Sequence, residues 1–426
     1  MFRKISLVML CAMMLAGCAA IPTPSTQSGN LMGKLAYETA PQFTEAELEQ
    51  LAASQNEFAS AIFAHQAEAK QNLVVSPYSL YQALSMLYAG AAGETASEMR
   101  LAMRLPWEDA RVHRLVNALN QQLLNSAGSE SADRQAFELQ MTNALWAAQD
   151  GTYEQAFLDT LSQNYDTGLK ILDFSNASAA SNAINAWVSE QTEQKITRLA
   201  EPAMFSADTT LALTNAVYFK AAWLYPFSEA ATSEAPFTLL SGEQQNVSTM
   251  RLSETLKASV TEELTIVQLP YAGGTMVMEI LMPHLEIWNS PEGISQLWAS
   301  GLNFPEMQPA NITLSLPKFR IETPIMDMIP ALNANGMRLA FTDDADFSGI
   351  SGDLSLYVST IAQKAFIDVN EQGTEASAAT IAVVRPKSAF GGEPLQITID
   401  RPFIFQIRDT ATGTVIFMGI VMQPEA

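Results

Sequence analysis

The chain has 426 residues, 48% of them hydrophobic, which is enough apolar material for one large core. Its 23 basic and 45 acidic residues give a formal net charge of −22, which argues against nucleic acid and anionic lipid headgroups as partners. Both cysteines, Cys11 and Cys18, fall near the N-terminus, so the folded part is expected to hold together by packing and without a disulfide.

In chain order, the first predicted element is a targeting segment. Arg3 and Lys4 precede an apolar run, Ile5 to Ala16, that is too short to span a bilayer as a stable helix. Leu15-Ala16-Gly17-Cys18 resembles the lipobox of bacterial lipoproteins. That resemblance implies a signal peptide over residues 1–17 and a lipid on Cys18 that anchors the chain to a membrane. It places the protein in the bacterial cell envelope, at the outer membrane or the cell surface. Residues 18–43, rich in Pro, Ser, Thr and Gly, read as a flexible tether, and residues 44–426 as the folded domain.

A helix starts at Thr44, which makes a capping box with Glu47; Leu48, Leu51, Phe58, Ile62 and Phe63 form its core face. Ser76-Pro77 starts a second helix, an N-cap followed by proline in the first turn. Leu80, Ala83, Leu84 and Leu87 line one side of it, and Gly90 ends it. Thr95 and Glu98 read as another capping box. The second half reads mainly as strands: Ala212 to Phe219, Thr313 to Ile321, Tyr357 to Val369, Ile397 to Asp400, Phe403 to Ile407 and Val415 to Val421. Helices early and strands late argue an α+β fold in one unit.

Signatures of catalysis are missing. His65, His113 and His284 lie in unrelated contexts without metal-ligand spacing. There is no G-x-S-x-G elbow, P-loop or dinucleotide glycine pattern. Asp344, Asp346, Ser348 and Gly349 mimic the start of a calcium loop, but Ser355 stands where a bidentate glutamate is required. The expectation is a protein that is not an enzyme and needs neither cofactor nor metal.

The most informative run is residues 370–384, NEQGTEASAATIAVV. It is small and β-branched, with no helix caps and no apolar helical period. Such a run is either a long exposed loop or a strand fitted into a crowded place. In a strand, alternate residues share a face. Thr374, Ala376, Ala378, Thr380, Ala382 and Val384 form one set, all small or β-branched and uncharged. Glu375, Ser377, Ala379, Ile381, Val383 and Arg385 form the other, which suits an outer face. The run leads into Arg385-Pro386-Lys387-Ser388, where Pro386 cannot donate to a ladder and marks the end of pairing.

From about residue 45 to residue 424 the chain resembles a serpin. The resemblance rests on motifs in the family's order. They are Asn72-Leu73-Val74-Val75-Ser76-Pro77-Tyr78-Ser79; Thr142-Asn143-Ala144-Leu145-Trp146; Asn185-Ala186-Trp187-Val188 with Thr192 and Lys195-Ile196; and Asn215-Ala216-Val217-Tyr218-Phe219-Lys220 with Trp223 and Phe227. Leu269-Pro270-Tyr271, Leu316-Pro317-Lys318-Phe319, Asp346-Phe347-Ser348-Gly349 and Arg401-Pro402-Phe403 complete the series. There are two departures. Gln363 stands where the family usually has His, and Ala221 where it commonly has Gly.

The resemblance implies a serpin fold: three β-sheets, eight to nine helices and an exposed reactive loop over about residues 371–394. It implies a suicide-substrate inhibitor of a serine protease, whose loop is cleaved and then inserts into the central sheet while the protease stays bound as a covalent acyl complex. The hinge would be Glu371, Gly373, Thr374, Glu375, Ala376, Ser377, Ala378, Ala379 and Thr380. Ser76, Ser79, Asn215 and Gln363 would form a buried cluster that controls sheet opening. Trp223, Lys318 and Glu371 would meet at the top of the sheet, with Lys318 paired to Glu371. The family's spacing from Glu371 puts the bait bond at Lys387–Ser388, for a trypsin-like enzyme; Ala389–Phe390, for a chymotrypsin-like one, stays open. A cysteine protease target, a non-inhibitory serpin acting as a binding or carrier protein, and an envelope-tethered hydrolase are the alternatives. The domain is expected to act as a monomer.

Overall fold

The computed structural model describes residues 29–67, 70–107, 110–127, 137–273, 275–290, 293, 297, 306–374 and 393–425. The helices are α1 (Glu45–Ala67), α2 (Pro77–Tyr88), α3 (Gly93–Ala102), α4 (Arg111–Ala127), α5 (Gln155–Tyr165), α6 (Ala177–Gln191), α7 (Leu285–Asn289) and α8 (Ile329–Ala334). The strands are β1 (Gly29–Leu31), β2 (Leu73–Val75), β3 (Phe137–Ala148), β4 (Leu169–Leu172), β5 (Leu211–Ala222), β6 (Ser233–Thr238), β7 (Gln244–Val260), β8 (Leu264–Pro270) and β9 (Met276–Pro283). They continue as β10 (Gln308–Pro317), β11 (Phe319–Glu322), β12 (Met326–Asp327), β13 (Val358–Asn370), β14 (Gly373–Thr374), β15 (Leu395–Thr398), β16 (Phe403–Asp409) and β17 (Val415–Val421).

One sheet has the order β1-β4-β3-β5-β14-β13-β11, with β12 beside β13. The other runs β15-β10-β7-β8-β9-β16-β17-β2, with β6 on β7. The second and third sheets expected from the sequence are joined by hydrogen bonding in this second network. β7 pairs with β6 and β10 along most of its length and with β8 only from Lys257 to Val260.

Helix α2 packs against β3 and β5 of the first sheet and β17 of the second. Every residue from Pro77 to Leu87 is buried, so the one-sided apolar face read from the sequence is part of a helix enclosed all round. Ser76 caps it, its hydroxyl accepting the Ser79 N–H at 3.3 Å. Gly90 serves packing more than termination: a Cβ there would lie 2.1 Å from Cγ1 of Ile350. On the opposite face of the first sheet, Ile184 and Val188 of α6 pack over Ala144, Ala212, Ala216 and Ala362, small residues that let the helix lie close.

Three sequence expectations change. Residues 29–43 are not tether but part of the domain. β1 adds an edge strand to β4, the Gly33 N–H donates to Ser162 Oγ at 2.7 Å, and the Glu38 carbonyl accepts from Asn117 and Gln121. Gly33 read as flexible, yet it is a close-approach glycine, with Leu158 O 2.4 Å from where a Cβ would stand. Thr95 and Glu98 do not cap their own helix, which begins at Gly93. Thr95 Oγ1 accepts the Asp346 N–H, and Glu98 accepts the N–H groups of Arg338 and Leu339. Thr313–Ile321 is two strands, because the chain passes from the second sheet to the first at Lys318.

Candidate functional site

β5 and β13 run parallel and pair directly from Leu211 and Val358 up to Val217 and Ala365. Above that level they part, and β14 fills the gap, antiparallel to both: Gly373 faces Ala222 and Asn370, and Thr374 faces Ala221 and Val369. The hinge thus turns back at Glu371-Gln372 and has its first two strand residues seated in the sheet. Gly373 is needed for the entry, since a Cβ there would lie 2.0 Å from the Ala221 carbonyl oxygen. Thr374 is fully buried, its hydroxyl 2.6 Å from the Tyr271 hydroxyl. Burial pushes the Tyr271 phenol far up, so it stays a neutral hydrogen-bonding group.

Above the slot, Trp223 stacks on Tyr271 with ring centroids 4.5 Å apart, and its indole N–H donates to the Asn370 carbonyl at 3.0 Å. Lys318 Nζ lies 3.0 Å from Glu371 Oε2, and Thr232 Oγ1 donates to Glu371 Oε1 at 2.8 Å. Burial alone would raise the Glu371 carboxyl; hydrogen bonds from its own backbone, Thr232 and Lys318 outweigh it and hold the group below its ordinary value. The turn that feeds the slot is therefore fastened by an ionised carboxylate.

Beneath the directly paired segment lies a buried polar cluster. Gln363 Oε1 accepts the Ser76 N–H at 3.2 Å, while its Nε2 donates to the Ser76 carbonyl at 3.0 Å and to Asn215 Oδ1 at 2.6 Å. Asn215 Nδ2 donates to Ser79 Oγ and to Asn143 Oδ1. Gln363 supplies donors and an acceptor together, so the cluster is satisfied without a titratable ring. At the far end of the slot, Thr210 Oγ1 accepts the Tyr357 N–H at 3.0 Å and donates to the Tyr357 carbonyl at 2.8 Å, clasping β5 to β13.

A family model described as "Serpin (serine protease inhibitor)" matches residues 53–424. The chain belongs to the serpin family. It is 31% identical over 385 residues to an uncharacterized serpin-like protein of Methanosarcina acetivorans, covering 88% of this chain and 86% of that one. It is 32% identical over 393 residues to the leukocyte elastase inhibitor of Bos taurus, covering 88% of this chain and all of the bovine one. The crystal structure of Serpin48 from the insect Tenebrio molitor superposes with a TM-score of 0.77 at 29% identity, over 88% of this chain and 98% of that one.

In this serpin the structure brings together Ser76, Ser79, Asn215 and Gln363, and separately Trp223, Lys318, Glu371, Gly373 and Thr374. Hinge residues Glu375, Ala376, Ser377, Ala378, Ala379 and Thr380, the bond Lys387–Ser388, and Cys18 lie outside the described residues. Sequence reasoning missed Asn143, Tyr271 and Thr232 as site residues. A signal for the first was available: Thr142-Asn143-Ala144 repeats Thr214-Asn215-Ala216, and the two asparagines are cross-strand partners. Asp346, part of the calcium-like run, accepts the Ser348 N–H at 3.1 Å in a local turn.

Proposed function

We propose that this serpin is a suicide-substrate inhibitor of a trypsin-like serine protease, held at the bacterial cell envelope by a lipid on Cys18. The observation that carries the reading is the seating of Gly373 and Thr374 between β5 and β13. Thr374 points into the core, so the set that continues it down the slot is Ala376, Ala378, Thr380, Ala382 and Val384, all compact and uncharged.

In the reaction the protease serine Oγ attacks the Lys387 carbonyl carbon. The Lys387–Ser388 C–N bond breaks, the serine proton passes through the protease's own base to the departing Ser388 amine, and Lys387 is left as an ester on the protease. The freed hinge then continues into the slot. Some ten residues gaining ladder bonds at roughly 0.5–1.5 kcal/mol each supply on the order of 10 kcal/mol to carry the ester down the sheet. The Lys387 ammonium fits an acidic specificity pocket. The other basic candidate, Arg385, precedes Pro386, whose missing N–H and restricted backbone make that bond a poor substrate.

Incubation with trypsin tests this. A gel-stable adduct is expected, and the released fragment should begin Ser388-Ala389-Phe390-Gly391-Gly392. Clipping without an adduct would point to a substrate-like carrier, and an adduct with chymotrypsin but none with trypsin to a chymotrypsin-like target.

A further inference from the structure

We infer that the reactive loop and the membrane anchor lie at opposite poles, so that insertion draws the trapped protease towards the membrane. This rests on the lipid-anchored inhibitor reading above. The starting observation is where the chain enters the fold. Gly29 of β1 faces Ile171, Ile171 faces Ala147, and Ala147 faces Leu211, the first residue of β5. β4 runs parallel to β3, β3 antiparallel to β5, and β1 antiparallel to β4. β1 therefore ascends in the direction of β5, and the chain comes into the sheet from the Leu211 end. The hinge enters from the other end, at Ala222.

The same registers fix where the inserted strand stops. Thr374 faces Ala221, so residue 384 would face Leu211, which already pairs with Val358 on the other side of the slot. Residue 385 would reach Thr210 and Tyr357, the clasp that closes the slot. Pro386 follows and cannot donate to a ladder, so Lys387 emerges just beyond the sheet, at the pole where β1 begins. From Thr374 to Lys387 is thirteen residues, about 43 Å of travel along the strand at ~3.3 Å each. Gly29 is four strands from the slot, about 19 Å sideways at ~4.8 Å per strand.

The tether is too short to undo this arrangement. Eleven peptide steps separate Cys18 from Gly29, about 37 Å at full extension at ~3.4 Å each. β5 has 12 residues, about 40 Å by the same measure, so the loop pole cannot turn to the bilayer. The bait faces outward, and the acylated protease ends on the membrane side.

The test places the mature lipidated chain in phosphatidylcholine vesicles that carry an acceptor dye, and adds donor-labelled trypsin. Trypsin with its catalytic serine changed to alanine docks at the loop without acylation and marks the outer position. Energy transfer is expected to be several-fold higher for the active enzyme in its covalent adduct. Equal or lower transfer overturns the proposal. Loss of the adduct on a denaturing gel, or of vesicle flotation, also overturns it, each exposing a different failed premise: inhibition or lipidation. A second variant lacking residues 21–28 should form adduct several-fold more slowly on vesicles and at the full-length rate in detergent; equal rates in both count against it.

Discussion

Thr374→Arg tests the slot directly. Thr374 is fully buried between the backbones of Ala221 and Val369, with its hydroxyl 2.6 Å from that of Tyr271. Arginine removes that hydrogen bond, worth about 1 kcal/mol. It must also carry a guanidinium into a site built for a small neutral side chain, which costs several kcal/mol unless the charge is paired. Arginine is therefore expected to hold Gly373 and residue 374 out of the intact sheet, and if about 3 kcal/mol of this is felt when the strand has to re-enter, insertion slows about a hundredfold relative to hydrolysis of the acyl ester. The assay is the stoichiometry of inhibition, the moles of serpin consumed per mole of trypsin silenced. It should rise from near one to tens, with the adduct band replaced by clipped serpin. Thr374→Val keeps the shape, leaves the Tyr271 hydroxyl without this partner and should produce a change of tenfold or less, about 1 kcal/mol. A Thr374→Arg protein that traps trypsin with the wild-type stoichiometry would refute the reasoning.

Three further outcomes are expected. Gln363→Leu strips partners from the Ser76 N–H, the Ser76 carbonyl and Asn215 Oδ1, and should destabilise the intact protein by about 3 kcal/mol or more in urea unfolding. His113 is buried against the Tyr165 hydroxyl, and burial lowers it from 6.5 to about 4. The unfolded chain thus binds the extra proton first, so stability is full above pH 6.5 and falls as the pH drops towards 4, by at most about 3 kcal/mol; His113→Phe should flatten that part of the pH–melting profile. Cys18→Ser should leave the protein unprocessed or shed it from the membrane fraction; unchanged membrane retention removes the lipid anchor.

Local chemistry made part of this structure legible in the sequence. The Thr44–Glu47 capping box is present, with the Thr44 N–H donating to Glu47 Oε2 at 2.9 Å, and Ser76-Pro77 starts α2 as its residue types require. The Lys318–Glu371 pair, implied by the resemblance through the matching residues of relatives, is present. What escaped was decided across the chain. Asn143 acquires its role only because β3 lies beside β5, and Tyr271 only because β8 delivers it next to Trp223 and Thr374. Residues 29–43 misled for a related reason. Their Gly29, Gly33, Thr39 and Pro41, following a Pro- and Ser-rich stretch, match a solvated linker, while the edge of β4 that binds them is visible only in the folded sheet. Lys318 lies between two strands, and the apolar alternation slips by one residue there, from Leu314 and Leu316 to Phe319 and Ile321, a signal of the break that the reading of one strand from Thr313 to Ile321 passed over.

The central claim is that the intact serpin is held short of its most stable state and relaxes when its loop joins the sheet. The direct measurement is the melting temperature of intact protein against protein clipped in the loop by a non-target protease. About 10 kcal/mol of new strand pairing should raise the clipped form's melting temperature by at least about 10 °C; a clipped form that melts at or below the temperature of the intact one would contradict the account.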